Sequence, residues 1–165
     1  MEVKRVNYRS PGEAGKCGFE DLDCYKLALD IVVNAHELAR GLPPEEKYEM
    51  APQIRRSSKG ITANIAEGYG RYHYLDSLHY YSIARGELNE TLSHFINALV
   101  LGYIKQDYFD EIYRLIRRTE SALNGFMTYI RKQRAGLQEY GDRVVREINA
   151  LYETENLTDI EEPSG

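Results

Sequence analysis

The sequence contains no tryptophan, only two cysteines and no long run of apolar residues. Cys17 and Cys24 match no common zinc-ligand spacing, so we expect both thiols to be reduced and free of metal. A membrane span needs roughly 20 consecutive apolar residues, and a secretory signal needs an apolar segment near the N-terminus. Because both are lacking, the sequence predicts a soluble, cytoplasmic protein. We also expect no metal and no cofactor.

Charge is distributed unevenly along the 165 residues, whose net charge is -5. Residues 135–165 contain eight acids and two bases, which leaves 18 acids and 19 bases in residues 1–134. The body of the protein is therefore almost neutral, and its bases are clustered. A polyanionic partner is compatible with such a distribution.

Composition divides the chain into four parts. Residues 1–18 contain Pro11, several glycines and few large apolar groups, which predicts a flexible leader. Residues 19–134 carry four helical patterns, and residues 135–152 carry a possible fifth, shorter one. Residues 153–165 are mostly polar and acidic, which predicts a disordered tail.

Amphipathic periodicity predicts four helices, separated by glycine and proline. They run from Asp21 to about Arg40, from Glu45 to a stop at Gly68 and Gly70, from there to Gly102, and from a cap at Asp107 to Arg134. The positions expected to face the core are Leu22, Tyr25, Leu29, Val32, Val33 and His36 to Ala39, then Ile54, Ser58, Ile61 and Ile65, then Tyr81, Ala84, Leu88, Leu92, Phe95 and Leu99, and finally Phe109, Ile112, Ile116, Thr119, Leu123, Phe126 and Ile130. Short connections favour antiparallel neighbours, so the predicted fold is all-α, an up-down four-helix bundle.

Several segments resemble a known protein family. They are FEDLDCYKLA at Phe19 to Ala28, QIRRSSKGITANIAEGYGRY at Gln53 to Tyr72, YYSIARGELNETL at Tyr80 to Leu92, and LGYI at Leu101 to Ile104. In this order they resemble the proteins encoded in intervening sequences of bacterial 23S ribosomal RNA genes, also labelled S23 ribosomal proteins. The sequence departs from the family pattern at Cys24 and Tyr25, where a tryptophan is usual, and in the segment after Ala135.

The resemblance implies a left-handed four-helix bundle that assembles into a ring-like homopentamer. It also implies a distant similarity to accessory proteins of diversity-generating retroelements, which bind nucleic acid and a reverse transcriptase. Both implications are expectations for this chain.

Basic residues provide the main candidate site, because arginine can donate two parallel hydrogen bonds to one phosphate. The nucleic-acid-binding candidates are Arg55, Arg56, Lys59 and Arg71, joined by Arg114, Arg117, Arg118, Arg131, Lys132 and Arg134 in the fourth helix. Repetition around a ring would multiply such a patch and make binding depend on salt. The alternative is that these side chains are solvated or form surface ion pairs with nearby glutamates, each worth about 0 to 1 kcal/mol.

Polar and aromatic residues suggest two further sites. Asn64, Glu67, Arg85 and Glu90 lie on the second and third helices, where antiparallel packing could join them into one structural polar network. Tyr69, Tyr72, Tyr80 and Tyr81 are part of a set of 14 tyrosines and cluster around the turn between these helices. Tyrosine suits protein interfaces and can also stack on bases, so this cluster is a predicted assembly or ligand edge.

No catalytic set is evident. In the segments of the second and third helices, no histidine lies beside a possible nucleophile. Asp76 and His79 have the i, i+3 spacing of a di-iron bundle, but such a site also needs a second motif of this kind and two further glutamates. The sequence therefore predicts a non-enzymatic, homo-oligomeric bundle that binds RNA or DNA. The alternative is a protein-interaction scaffold or accessory subunit, for example of a reverse transcriptase, without direct nucleic-acid binding.

Overall fold

The computed structural model describes residues 18–71 and 73–132. Its four α-helices are α1 (Asp23–Gly41), α2 (Met50–Tyr69), α3 (Tyr74–Val100) and α4 (Gln106–Lys132). Each helix packs against the next, and α4 also packs against α1, so the four helices surround one core. This arrangement confirms the predicted all-α, up-down bundle and leaves α2 and α4 at opposite corners. The predicted leader up to residue 17, fifth helix and acidic tail lie outside the described residues.

The core-facing side of α1 agrees with the prediction at Leu38 and Ala39 but differs in the middle of the helix. Its buried residues are Cys24, Ala28, Ile31, Ala35, Leu38 and Ala39. Leu29, Val32 and Val33, which were expected in the core, are only half-buried. Both sides of α1 are apolar, and the alanine side allows the closer approach of neighbouring helices, so hydrophobicity alone did not identify the packed side.

The start of α2 was predicted too early. Pro44–Lys47 forms a short 3-10 helix instead, and α2 begins at Met50. Glu46 fixes this start, because its Oε2 accepts a hydrogen bond of 3.2 Å from the Met50 backbone N–H. Pro52 then falls in the first turn of α2, where the missing proline N–H removes no helical hydrogen bond.

The end of α3 confirms the prediction that Gly102 terminates this helix. Gly102 has a φ of +76°, in the left-handed region that favours glycine. Its N–H bonds to the Leu99 carbonyl at 3.0 Å, and the Tyr103 N–H bonds to the Ala98 carbonyl at 2.8 Å. These two bonds form a Schellman motif, which turns the chain into the start of α4.

The closest helix pair is α2 with α3. Gly68 is buried at this contact, where an added Cβ would lie 2.6 Å from Tyr81 Cε1 and 3.0 Å from the Ser77 carbonyl oxygen. The predicted stop at Gly68 and Gly70 is confirmed, since α2 ends at Tyr69 with Gly70 as its C-cap, and Gly68 in addition leaves room for a tyrosine ring. Tyr81 is 1% exposed, and its ring centroid lies 5.3 Å from that of Phe126 on α4.

The α4 core stripe agrees with the sequence pattern. Ile112, Ile116, Thr119 and Leu123 are buried, together with Met127, which the pattern omitted. Asp107 lies in the first turn of α4 and is not its cap. The helix is described to Lys132, and Arg134 lies outside the described residues.

Candidate nucleic-acid interface

The outward side of α4 is basic from Tyr113 onward, whereas its first turns expose Asp107, Asp110 and Glu111. Between residues 113 and 132 it has five exposed basic side chains and one acid, Glu120. We call the five residues the α4 basic face: Arg114, Arg117, Arg118, Arg131 and Lys132. They follow from the amphipathic pattern, because the apolar stripe buries the other side of the helix.

The arginines of the α4 basic face are held to different degrees. Arg114 Nε donates to the Asp110 carbonyl at 3.1 Å, which orients the guanidinium without neutralising it. Arg117 pairs with Glu120 at 2.8 Å, and this hydrogen bond raises the pKa of the arginine. Arg118 is exposed and makes no ion pair with any other residue in the described ranges. At least two of the three positive charges are therefore not neutralised locally.

Two exposed tyrosines lie beside residues of the α4 basic face. Tyr113 is 39% exposed, with the Arg117 guanidinium 4.9 Å from its ring centroid, and Tyr129 is 58% exposed. Exposed aromatic rings next to arginines are suited to stacking on nucleobases. The sequence analysis did not single out these tyrosines, although their positions between the residues of the apolar stripe mark them as outward-facing.

The basic residues of α2 form a separate surface, because α2 and α4 occupy opposite corners of the bundle. Arg55 is half-buried and donates to the Ala39 carbonyl of α1 at 3.1 Å. Arg56 pairs with Glu90 of α3 at 3.1 Å, and Lys59 is exposed. The single basic surface expected from the sequence is therefore divided, since a shared charge does not place two helices on the same side.

Positive charges are concentrated around His36, where α1 meets α2. Burial lowers the pKa of His36, and the charges of Lys59, Arg55 and Arg40 lower it further. His36 and Arg40 are one turn apart on α1, as Arg55 and Lys59 are on α2. The second basic surface thus includes Arg40, which the sequence analysis had not named as a candidate.

Arg71 is held by contacts with other residues of the bundle. It forms an ion pair with Glu67, donates to the Tyr80 hydroxyl at 2.6 Å, and lies 4.5 Å from the Tyr80 ring centroid. These contacts link the end of α2 to the first half of α3. Arg71 therefore has a structural role in the described structure, unlike Arg118.

The predicted polar network is not formed as one unit. Asn64 donates to the Gly60 carbonyl of its own helix at 2.8 Å. Arg85 contacts Asn124 of α4 at 3.4 Å. The other two members have different partners again, Glu67 with Arg71 and Glu90 with Arg56. The four residues share two helices, but they lie at different heights and on different sides of them.

The predicted tyrosine edge is also divided. Tyr69 is 42% exposed and its ring lies 6.4 Å from that of Phe19, whereas Tyr80 is half-buried against Arg71. Tyr81 belongs to the core, so its assignment to an interface was wrong. Its burial raises the pKa of its hydroxyl. Tyr72 lies outside the described residues.

Metal ligands do not converge within residues 18–71 and 73–132, where no group of three or more His, Cys, Asp or Glu side chains is placed to hold an ion. Asp76 and His79 are both exposed near the start of α3. Among the helices described, none combines the length and apolar character that crossing a bilayer requires.

Comparison with known proteins identifies the family. The family model described as 23S rRNA-intervening sequence protein matches residues 20–125, which is more than half of the chain. The chain belongs to this family. The matched region begins in a short 3-10 helix, Phe19–Asp21, before α1 and ends within α4, so it includes Arg114, Arg117 and Arg118 but not Arg131 and Lys132.

A solved structure supports the same assignment. The chain is similar to a protein of the S23 ribosomal protein family from Bacteroides thetaiotaomicron VPI-5482, with 25% sequence identity and a TM-score of 0.59. The match covers 64% of this chain and 95% of that chain, and that protein is described as having unknown function. No curated protein matches this chain. The resemblance seen in the sequence is confirmed at the level of family and fold.

Proposed function

We propose that this protein is a non-enzymatic homo-oligomer, with a pentamer as the expected state, that binds RNA or DNA through the α4 basic face. One observation carries the proposal: from Tyr113 to Lys132, one side of α4 presents five exposed bases and one acid together with two exposed tyrosines. Its charge can attract phosphates, and its rings can stack on bases.

The dimensions of the α4 basic face suit a short stretch of nucleic acid. Arg114 and Lys132 are separated along the helix by roughly 27 Å at 1.5 Å per residue. This length corresponds to about eight base pairs at 3.4 Å per step. Ser121 and Gly125 are exposed in the middle of this side, so small side chains leave room for a phosphate backbone to approach.

Assembly would strengthen binding by repeating the same face. The family resemblance supports a ring, and the half-buried Leu29, Val32 and Val33 provide apolar area that a neighbouring subunit could cover. Light scattering with mass determination tests this part. A five-subunit mass supports it, and a stable monomer contradicts it.

The binding test compares the two basic surfaces directly. Arg114→Ala, Arg117→Ala and Arg118→Ala are combined in one variant, and Arg56→Ala with Lys59→Ala serves as the control on α2. Binding of a fluorescent structured RNA is then measured across a salt series. We expect the α4 variant to lower the slope of log K against log salt by about 2 to 3, because up to three phosphate contacts are lost.

Four results would separate the candidate functions. A smaller salt slope in the α4 variant alone supports the α4 basic face as the site. An effect confined to the α2 variant would transfer the proposal to the surface predicted originally from Arg55, Arg56 and Lys59, and equal effects in both variants would show that binding is not specific to the α4 basic face. RNA and DNA binding that is absent at low salt would overturn the proposal and favour the protein scaffold or accessory subunit.

A further inference from the structure

An acidic and apolar groove lies at the end of the bundle where α2 begins and α3 ends. It has a volume of about 390 Å³. Its lining is acidic and polar on one side and apolar on the other: Glu46, Glu49, Gln53, His94, Val100 and Leu101. This groove is separate from the α4 basic face and has the opposite charge.

Exposed apolar side chains mark the groove as a contact surface. Val100 is 78% exposed and Leu101 is 53% exposed, although both are large aliphatic residues. Tyr48, in the turn before α2, is 81% exposed. Single exposed apolar residues are ordinary, but a group at one end of a bundle indicates a protein contact.

The acids beside these residues are available for a cationic partner. Glu46 is held in place, since it accepts hydrogen bonds from the Met50 N–H at 3.2 Å and the Tyr103 hydroxyl at 3.1 Å. Glu49 makes no ion pair with any other described residue, and it is exposed. One carboxylate is thus preorganised and the other is unpaired, which favours recognition of lysine or arginine.

Tyr103 contacts the groove through Glu46, and His94 lines it. Partial burial raises the pKa of Tyr103, and its hydrogen bond to Glu46 and the charges of Glu45 and Glu49 raise it further. His94 forms one wall of the groove, and its Nε2 is buried without a hydrogen-bond partner in the described part of the chain. The nearest carboxylate, Glu90 Oε1, is 3.8 Å away.

We propose that this groove binds a cationic amphipathic helical segment of another protein, with its apolar side against Val100 and Leu101 and its lysines or arginines near Glu46 and Glu49. The groove residues of α3, from His94 to Val100, span roughly 9 Å, or a little under two helical turns. Such a length accommodates apolar anchors at i and at i+3 or i+4. A nucleic acid is disfavoured here because the acids repel phosphate.

Fluorescence polarisation with a synthetic peptide tests the groove. The probe is an amphipathic helix of about 14 residues made of leucine and lysine, and its counterpart has glutamate in place of lysine. Val100→Ser with Leu101→Ser removes the apolar wall, and Glu49→Lys reverses the charge. The matched controls on the other half of α3 are Ile83→Ser, whose parent side chain is 37% exposed, and Asp76→Lys.

We expect the cationic peptide to bind and the anionic peptide not to bind. Each groove variant should weaken binding by about ten-fold, with the controls within about two-fold of the unchanged protein. Amide chemical shifts induced by the peptide should concentrate at the start of α2 and the end of α3. Equal weakening in the controls, or shifts confined to other helices, would overturn the proposal.

Light scattering tests the competing possibility that a second copy of this chain occupies the groove. If Val100→Ser with Leu101→Ser reduces the oligomer mass, the groove is a contact between copies and the proposal fails. An unchanged mass with weakened peptide binding supports it. The variant with three α4 arginines replaced should still bind the peptide, so failure of the nucleic-acid proposal would leave this test interpretable.

Discussion

Thr91 of α3 donates a hydrogen bond of 2.9 Å to Ser57 Oγ of α2, and both side chains are fully buried. Ser57 in turn donates to the Ile54 carbonyl at 3.4 Å. This pair places hydroxyl groups at the closest helix contact of the bundle. Because buried polar groups are costly without partners, the pair favours one alignment of α2 against α3.

Replacing Thr91 by Val should lower the free energy of unfolding by about 1 to 2 kcal/mol, because Ser57 loses a partner inside the core. The double variant Thr91→Val with Ser57→Ala should be closer to the unchanged protein than the sum of the two single effects, since both polar groups are then removed. Urea unfolding measures all four proteins. Strictly additive effects would show that the two hydroxyls are not coupled.

Gly68→Ala should destabilise the bundle by about 1 to 3 kcal/mol, because the new methyl group meets the Tyr81 ring and the Ser77 backbone. Gly86→Ala is the matched control in α3, since beyond the neighbouring backbone of its own helix no atom lies within 4 Å of the added Cβ. The control should stabilise by about 0.5 to 1 kcal/mol through helix propensity. Thermal unfolding of both variants checks the prediction, and a stabilised Gly68→Ala would contradict the packing described.

Glu87 should make stability depend on pH. Burial raises its pKa, the charge of Glu90 raises it further and that of Arg56 lowers it, while its Oε2 has no hydrogen-bond partner in the described residues. A raised pKa means that the folded state holds the proton more tightly than the unfolded state, so stability falls as the pH rises from the unfolded pKa through the folded one.

Glu87→Gln should therefore stabilise the protein near pH 7 and have little effect near pH 3, which is below the ordinary glutamate pKa of about 4.3. Melting temperatures measured across this range test the difference. If the stabilisation by Glu87→Gln became smaller as the pH rises, the pKa of Glu87 would not be raised in the folded state.

Cys24 should react slowly while the bundle is folded. Its thiol is buried, and burial raises its pKa from an ordinary 9.0 to about 11. In a Cys17→Ser background, the remaining thiolate population should be reduced about a hundred-fold relative to the denatured chain. Reaction with a chromogenic disulfide reagent, with and without urea, measures this ratio. Equal rates in the two conditions would place Cys24 in contact with solvent.

Much of the fold could be predicted from local patterns. The α4 stripe of Ile112, Ile116 and Leu123 follows helical periodicity, and Gly102 supplies the left-handed turn after α3. The packed side of α1 was less accessible to this reasoning. Ala28 and Ala35 are buried, and Leu29 and Val32 only half-buried, because the neighbouring helices pack against the alanine side. A local sequence pattern holds no information about where those helices lie.

The candidate site was only partly predictable for the same reason. The sequence identified Arg114, Arg117 and Arg118 as basic residues on one helix. The ion pair of Arg71 with Glu67 follows from their i,i+4 spacing, but the sequence could not show that Arg71 also contacts Tyr80, since that contact crosses the turn between two helices.

The sequence by itself determined the helical content, the family and the charge of each helix, because these depend on composition and on spacing within a turn or two. Only the tertiary structure decided that α2 and α4 lie at opposite corners, so their arginines form separate surfaces. It also decided that Tyr81 is in the core while Val100 remains exposed. The physical reason is that exposure and ion pairing depend on which helices meet, and those contacts join residues far apart in the chain.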